Sequence, residues 1–419
     1  MKLSSLPFLL TYIALPISWV VNFSGVGIIA WLPEILALFL FFFVISKGKC
    51  NPTFKTSNII VALLFLLHFF YQAINGEGVG NSAVVSIVMM SVIFFVFFDY
   101  GYSHGDEKTI IKNIGIIYSI HILFILIEII LIQTETTNIL SFFSGGKYKA
   151  DVINNYTLVP QSLFNQSQAA SQMCVFSITW YFLLYLSKKK LNINFNMVSV
   201  FTFVSSVAVL SFYYTTTSLF IFIMMMFLII YLIPFAKKRL FRFLFLFIVF
   251  SFFNVIFQTL SYKINTDLYF HAEHYITAFT DPIYVFMMQP LSVQLWGSGG
   301  VGSLKALNLK HADFGLGVVV LQAGIVITSI ALFWLLAIIG RMFLCVYKRK
   351  FSNDFNLLWL WLGTSNALIS LGFLVSLIHY TVVLQMGGRT LFALHIALTI
   401  FSFYQLKKSQ PVSNGNGVL

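Results

Sequence analysis

Charge is what this chain has least of. Asp, Glu, Lys and Arg together make up 9% of its 419 residues, too few to coat the surface of a soluble protein of that size. With three cysteines (Cys50, Cys174 and Cys345) at no spacing suited to a disulfide or a metal, redox and metal-thiolate chemistry find no support. No run of polar sequence is long enough to form a separate water-soluble domain, and no internal repeat is visible. The chain also lacks the alternation of apolar and polar residues that a membrane barrel needs: Val61–Phe70 and Ile221–Ile230 are apolar on every side. What is abundant is hydrocarbon, with 59% hydrophobic residues, 48 phenylalanines and a mean hydropathy of +0.90.

A helix needs about 20 mostly apolar residues to cross a bilayer, and such segments recur along the whole chain. They predict an all-α, polytopic integral membrane helix bundle, one transmembrane domain over 1–419. The expected spans are 6–22, 28–46, 58–74, 82–98, 110–132, 166–186, 196–213, 217–235, 240–260, 314–339, 356–378 and 389–405. Twelve spans put both termini on one side. With that side cytoplasmic, nineteen of the 25 Lys and Arg residues face the cytoplasm, and Lys147, Lys149, Lys263, Lys305, Lys310 and Arg389 face out. The formal charge of +12 is then explained by topology and anionic lipid, with no nucleic acid. Residues 1–21 read as a retained first helix, since Lys2 alone stands as a basic n-region and no small-residue cleavage site follows. The tail from 407 to 419 reads as a disordered cytoplasmic end.

Two outer, periplasmic loops are long, about 133–165 and about 261–313, and are expected to contain short surface helices; long loops in a compact protein tend to carry function. Within the second, 266–279 reads as a short surface helix that ends just before Pro282, with His271 and His274 on one face. Trp296–Gly302 is glycine-rich and leads to Lys305, Lys310, His311 and Asp313 at the next helix; it is either a flexible turn or a backbone cradle for phosphate oxygens. Gln168, Ser171 and Gln172 form one stripe at the polar start of a span, suited equally to helix–helix hydrogen bonding and to lining a wet cavity. Residues 213–218 form a polar turn. Arg389 is the sole arginine expected outside, and it calls for a partner: either a phosphate gripped by two parallel hydrogen bonds or lipid headgroups reached by snorkelling. His379 and Tyr380 would approach the same place. Glu34 lies near the outer end of the second span, and His121 and Glu128, one heptad apart, are a candidate pair. His68 and His395 stand isolated, which favours packing roles.

Four of these segments resemble the O-antigen polymerase and ligase superfamily. They are Trp296–Gly302; His311-Ala-Asp-Phe-Gly-Leu-Gly317 running on to Gln322-Ala-Gly324; Ser376-Leu-Ile-His-Tyr380; and the polar entry Gln161-Ser-Leu-Phe-Asn-Gln-Ser-Gln168. Two positions depart from the pattern: Thr215-Thr-Thr-Ser218 stands where relatives carry Ser-Arg, and Asn165-Gln-Ser167 lacks the acid of a Glu-Pro-Ser element. The resemblance implies a metal-independent glycosyltransferase without cofactor in a bacterial inner membrane, joining undecaprenyl-diphosphate-linked oligosaccharides into O-antigen or a related surface polysaccharide. A chain-length regulator is a candidate partner. It further implies His311 or His379 as base and Arg389, Lys305 and Lys310 at the diphosphate, with Tyr380, Asp313, Gln168, Gln172, His271 and His274 lining the substrate site. A twelve-helix transporter or flippase of lipid-linked glycans is the alternative class. The polar residues concentrated outside and the absence of matched broken helices speak against it. A ligase is the alternative within the enzyme class.

Overall fold

The computed structural model describes residues 2–24, 32–46, 67–68, 70, 83–103, 105–134, 151–153, 157–159, 167–192, 195–212, 216–232, 241, 243, 247, 277, 280–298, 315–349, 357–377 and 386–408. After a 3-10 turn at Leu3–Ser5 the helices are α1 (Leu6–Ser24), α2 (Leu32–Ser46), α3 (Ala83–Gly101), α4 (Asp106–Gln133), α5 (Ser167–Leu191), α6 (Met197–Phe212), α7 (Thr216–Leu232), α8 (Leu291–Trp296), α9 (Gly315–Arg349), α10 (Leu357–Ser376) and α11 (Met386–Lys408). Six of them, α3, α4, α5, α9, α10 and α11, are long and apolar enough to cross a membrane, and parts of α1, α2, α6 and α7 form shorter apolar helices. Most of the expected spans therefore exist as helices. Those at 58–74 and 240–260 lie largely outside the described residues, as does the tail beyond Lys408.

Details depart from the sequence expectation. The first long loop carries a two-stranded antiparallel hairpin, β1 (Asp151–Ile153) with β2 (Thr157–Val159), where short surface helices were expected. In the second loop Pro282 falls inside helical residues 280–287 instead of past a helix end. Thr216–Ser218, read as part of a turn, already belong to α7.

The exposed surface of the bundle is apolar where that of a soluble protein is polar. On α4 the exposed stripe is Ile116, Ile120, Leu123, Ile127 and Ile130, while Tyr118, His121 and Glu128 are buried on the opposite face. A 3.6-residue period that turns apolar groups out and polar groups in suits a hydrocarbon solvent. α11 is the hub, touching α1, α3, α9 and α10, and its residues from Gly387 to Thr399 are buried without exception.

The first described residues and the last turns of α11 lie at one end of this bundle. Lys2 Nζ lies 2.7 Å from Asp106 Oδ1 at the start of α4. Gly101, at the end of α3, abuts the backbone of Leu3 and Ser4 so closely that a Cβ there would overlap it. Phe401, near the end of α11, packs against Phe98, Tyr102 and Trp359.

α9 is longer than expected and is broken. Gly324 has φ 76° and ψ 162° in its interior, a conformation open to glycine and strained for side-chain-bearing residues. The break receives the end of α8. Gly297 (φ 84°) presses its backbone on Gln322 and Ala323, and a Cβ on Gly324 would sit 2.2 Å from the Leu295 carbonyl oxygen. The Leu321 carbonyl accepts from Ser298 N at 2.8 Å and Ser298 Oγ at 2.9 Å. Two glycines thus let two backbones touch. Gly324→Ala and Gly297→Ala should each destabilise the protein by about 2 kcal/mol or more through strain and overlap. Gly340→Ala, at a helical position with open space around its Cβ, should be neutral or stabilising by up to about 1 kcal/mol. Unfolding of the purified variants in detergent measures all three.

Candidate functional site

Of the residues singled out from the sequence, Arg389, Gln168 and Gln172 are described; His271, His274, Lys305, Lys310, His311, Asp313, His379 and Tyr380 lie outside the described residues. Gln172 is fully buried in α5, and Ser171 beside it nearly so. Gln168 is half-buried, and its Oε1 is enclosed without a hydrogen-bond donor among the described residues. The stripe therefore faces protein.

Arg389 stands in the first turn of α11, at the bundle end opposite the two termini. It does not snorkel. With 6% of its surface exposed, it sits inside the bundle, and its Nη2 lies 3.4 Å from Glu34 Oε1. Ser86 Oγ donates to the same carboxylate oxygen at 2.9 Å, while Glu34 Oε2 is buried with no hydrogen-bond donor among the described residues. The first turns of α2, α3 and α11 supply the three side chains. Helix N-termini carry partial positive charge, so Glu34 is well placed and Arg389 is not. The carboxylate compensates both the guanidinium and the helix ends. The sequence offered a signal for this pair, two opposite charges at outer ends of spans, without the spatial link that joins them.

A second polar cluster runs through the middle of the bundle. His395, taken from sequence as isolated, bridges three helices: its Nε2 lies 2.9 Å from Tyr118 Oη of α4 and its Nδ1 lies 2.6 Å from Asn366 Oδ1 of α10. Asn366 Nδ2 donates to the Leu362 carbonyl at 2.7 Å, so Oδ1 is the atom turned to the histidine. Nδ1 must then carry the proton, and neutral His395 accepts from the tyrosine at Nε2. Phe373 packs against the imidazole and stacks on Phe392. The chain of bonds is directional, complete and sealed by aromatic rings. His121 likewise turns to a neighbouring helix, with Nε2 3.5 Å from the Ala170 carbonyl oxygen. Glu128 is two helical turns away, about 10.5 Å along the axis, which rules out the direct pairing expected from their spacing.

The break in α9 joins two of the segments that carry the family resemblance, Trp296–Ser298 and Gln322–Gly324. Gln322 is buried with its Oε1 lacking a hydrogen-bond donor among the described residues. Two polar features therefore approach the interior from the non-terminal end: an ion pair formed by three helix starts, and a glycine-lined backbone crossing with an amide beside it.

This architecture defines a multi-helix protein of membrane-spanning type. Compared with known proteins, the chain matches no family model and no curated sequence.

Removing one partner of a buried ion pair costs about 3–5 kcal/mol, whereas replacing both with apolar groups can be neutral. Glu34→Leu or Arg389→Leu alone should therefore lower unfolding stability by roughly that amount, and the Glu34→Leu/Arg389→Leu double variant should recover most of it. His395→Leu should cost about 2–4 kcal/mol, because Tyr118 and Asn366 both lose their partner in an apolar interior. Equilibrium unfolding in mixed micelles measures each; additive losses at Glu34 and Arg389 would contradict the pairing.

Proposed function

We propose that this chain is a glycosyltransferase of the O-antigen polymerase type. It would join undecaprenyl-diphosphate-linked oligosaccharides into O-antigen or a related surface polysaccharide at the periplasmic face of a bacterial inner membrane. In this reading the chain crosses the membrane twelve times with both termini in the cytoplasm. The meeting of Lys2 and the end of α11 at one end of the bundle supports an even number of crossings, and the basic loops support that end as the cytoplasmic one.

The observation that carries the proposal is Arg389. A guanidinium enclosed by protein at the opposite end, among the starts of three helices, is the type of group that neutralises charge on a departing diphosphate. The contact between the two glycine segments of the resemblance adds weight. In the reaction, the hydroxyl of an incoming lipid-linked unit attacks the anomeric carbon of the donor chain. The new glycosidic C–O bond forms as the C–O bond to phosphate breaks, the hydroxyl proton passes to a base (His311 or His379), and undecaprenyl diphosphate leaves with the electron pair. Arg389, with Lys305 or Lys310, holds that leaving group. Glu34 keeps the guanidinium neutralised and oriented when no diphosphate is present.

One observation favours the transport reading: α9 is interrupted at Gly324, and broken helices line substrate paths in many carriers. Purified protein incubated with lipid-linked repeat units separates the two, since a polymerase yields a laddered product and a carrier leaves the units unchanged. Within the enzyme reading, Arg389→Leu should abolish long chains. The Glu34→Leu/Arg389→Leu variant should abolish them as well, although its fold is restored. Long chains at wild-type level from the refolded double variant would remove Arg389 from the reaction. His311→Ala should shift surface polysaccharide from long chains to single-repeat caps, read on a gel.

A further inference from the structure

Between Asp281 and Lys305 the chain contains no charged residue, although it falls within a segment that reads as an aqueous outer loop. The described part of this stretch is a helical segment at 280–287 followed, across Pro290, by α8. The eight helical residues described at 280–287 and the six of α8 rise about 12 and 9 Å, short of a hydrocarbon layer about 30 Å thick.

The side chains this stretch leaves uncovered are apolar. Tyr284, Met287, Met288 and Leu291 are 62%, 69%, 64% and 69% exposed, and Ile283 and Trp296 are also exposed. Residues 284, 287 and 288 follow helical spacing and share one face, and Leu291, which opens α8, is exposed beside them in sequence. In water such a patch would be a liability.

Its polar groups behave as they do away from water. Pro290 has no N–H to continue the first helix; the Phe286 carbonyl accepts instead from Gln289 N, and neighbouring carbonyls are met by side-chain amides. Gln289 Nε2 donates to Val285 O at 3.1 Å. Gln294 Nε2 donates to Met287 O at 3.1 Å and to Gln289 O at 2.9 Å. At the far end Ser298 satisfies Leu321 O, the carbonyl released by the break in α9. Internal satisfaction at each interruption is what a low-dielectric surrounding demands of a backbone. The patch also adjoins a surface that already faces hydrocarbon: α8 ends against Gly324, and the next residue, Ile325, begins the exposed apolar row Ile325, Ile330, Phe333 and Leu336 of α9.

We propose that residues 280–298 form a re-entrant helical hairpin seated in the bilayer, with Tyr284, Met287, Met288 and Leu291 against the acyl chains of membrane lipid. The hairpin enters and returns on one side and is locked to the bundle by the Gly297–Gly324 crossing. The inference is independent of the proposed reaction.

The test uses the full chain in liposomes, with Cys50, Cys174 and Cys345 replaced by alanine and a spin label placed at Tyr284→Cys, Met287→Cys or Leu291→Cys. Phe333→Cys serves as a lipid-facing reference and Lys108→Cys as an aqueous one. At the three hairpin positions, collisions with a water-soluble nickel chelate should be lost as at Phe333, while collisions with dissolved oxygen persist. Nickel collisions retained as at Lys108 would place the hairpin in water and overturn the proposal. Labels shielded from both reagents would also overturn it, because they would show a protein partner on this face. The unmutated chain provides a second measurement that no folding defect can confound: a photoreactive carbene carried on lipid acyl chains should mark the peptide containing Tyr284–Leu291, and failure to mark it while the Phe333 peptide is marked would count against the hairpin.

Discussion

Lipid gives a polar group no alternative partner, and that constraint organises the molecule. A backbone N–H or carbonyl left open in hydrocarbon costs several kcal/mol, so every interruption of a helix has to be answered from within the chain. The hydroxyls show the routine form of the answer. Thr11, Ser91, Ser206, Thr364 and Thr399 each donate to the carbonyl four residues earlier on their own helix. The break in α9 shows the demanding form, where a carbonyl freed by Gly324 is answered by Ser298, from a distant stretch of the chain. Positive φ at two glycines is what lets the second strand of backbone come close enough to do so.

The same constraint sorts the ionisable residues. An arginine at the start of a span has two ways to avoid desolvation: reach the headgroups, or bring a counter-charge inside. Arg389 takes the second course with Glu34, and this ties the start of the last described helix to the start of the second. His395 avoids the cost differently, by remaining neutral and using both ring nitrogens. Charge compensation at the non-terminal end and neutral hydrogen bonding at the centre are thus two solutions to one problem.

Helix periodicity and length were legible in the sequence because they follow from local composition. Described helices stand at ten of the twelve expected positions, six of them long and apolar enough to cross a membrane, and the exposed isoleucine stripe of α4 follows from its 3.6-residue repeat. Partnership was less legible, since it depends on which helices lie side by side. Arg389 called for a partner and Glu34 was noted at the correct end of its span, yet nothing in a linear chain links positions so far apart. His395 looked isolated for the same reason: Tyr118 and Asn366 come from other helices. His121 and Glu128 erred in the opposite way, as a heptad shared along one helix placed them on a common face while the rise per residue kept them apart. Gly324 stood in the sequence as the end of one resemblance segment, with no sign that it breaks its helix; that role emerges with the backbone of Gly297 against it.

For function, the combination of features has more force than any one of them. A buried ion pair alone is a common device for fixing how helices meet, and a broken helix alone is equally at home in a carrier. Here the ion pair, the glycine crossing and the long loops are set against a terminal end fastened by Lys2–Asp106 and by packed aromatic rings. A carrier opens each face of its bundle in turn, so in such a cycle the fastened terminal end would be the closed face of this conformation. An enzyme acting on a membrane-bound donor needs access from one face only. Glu34, with one carboxylate oxygen still without a donor among the described residues, leaves the pair incompletely satisfied in a setting of low dielectric, where such a group is costly.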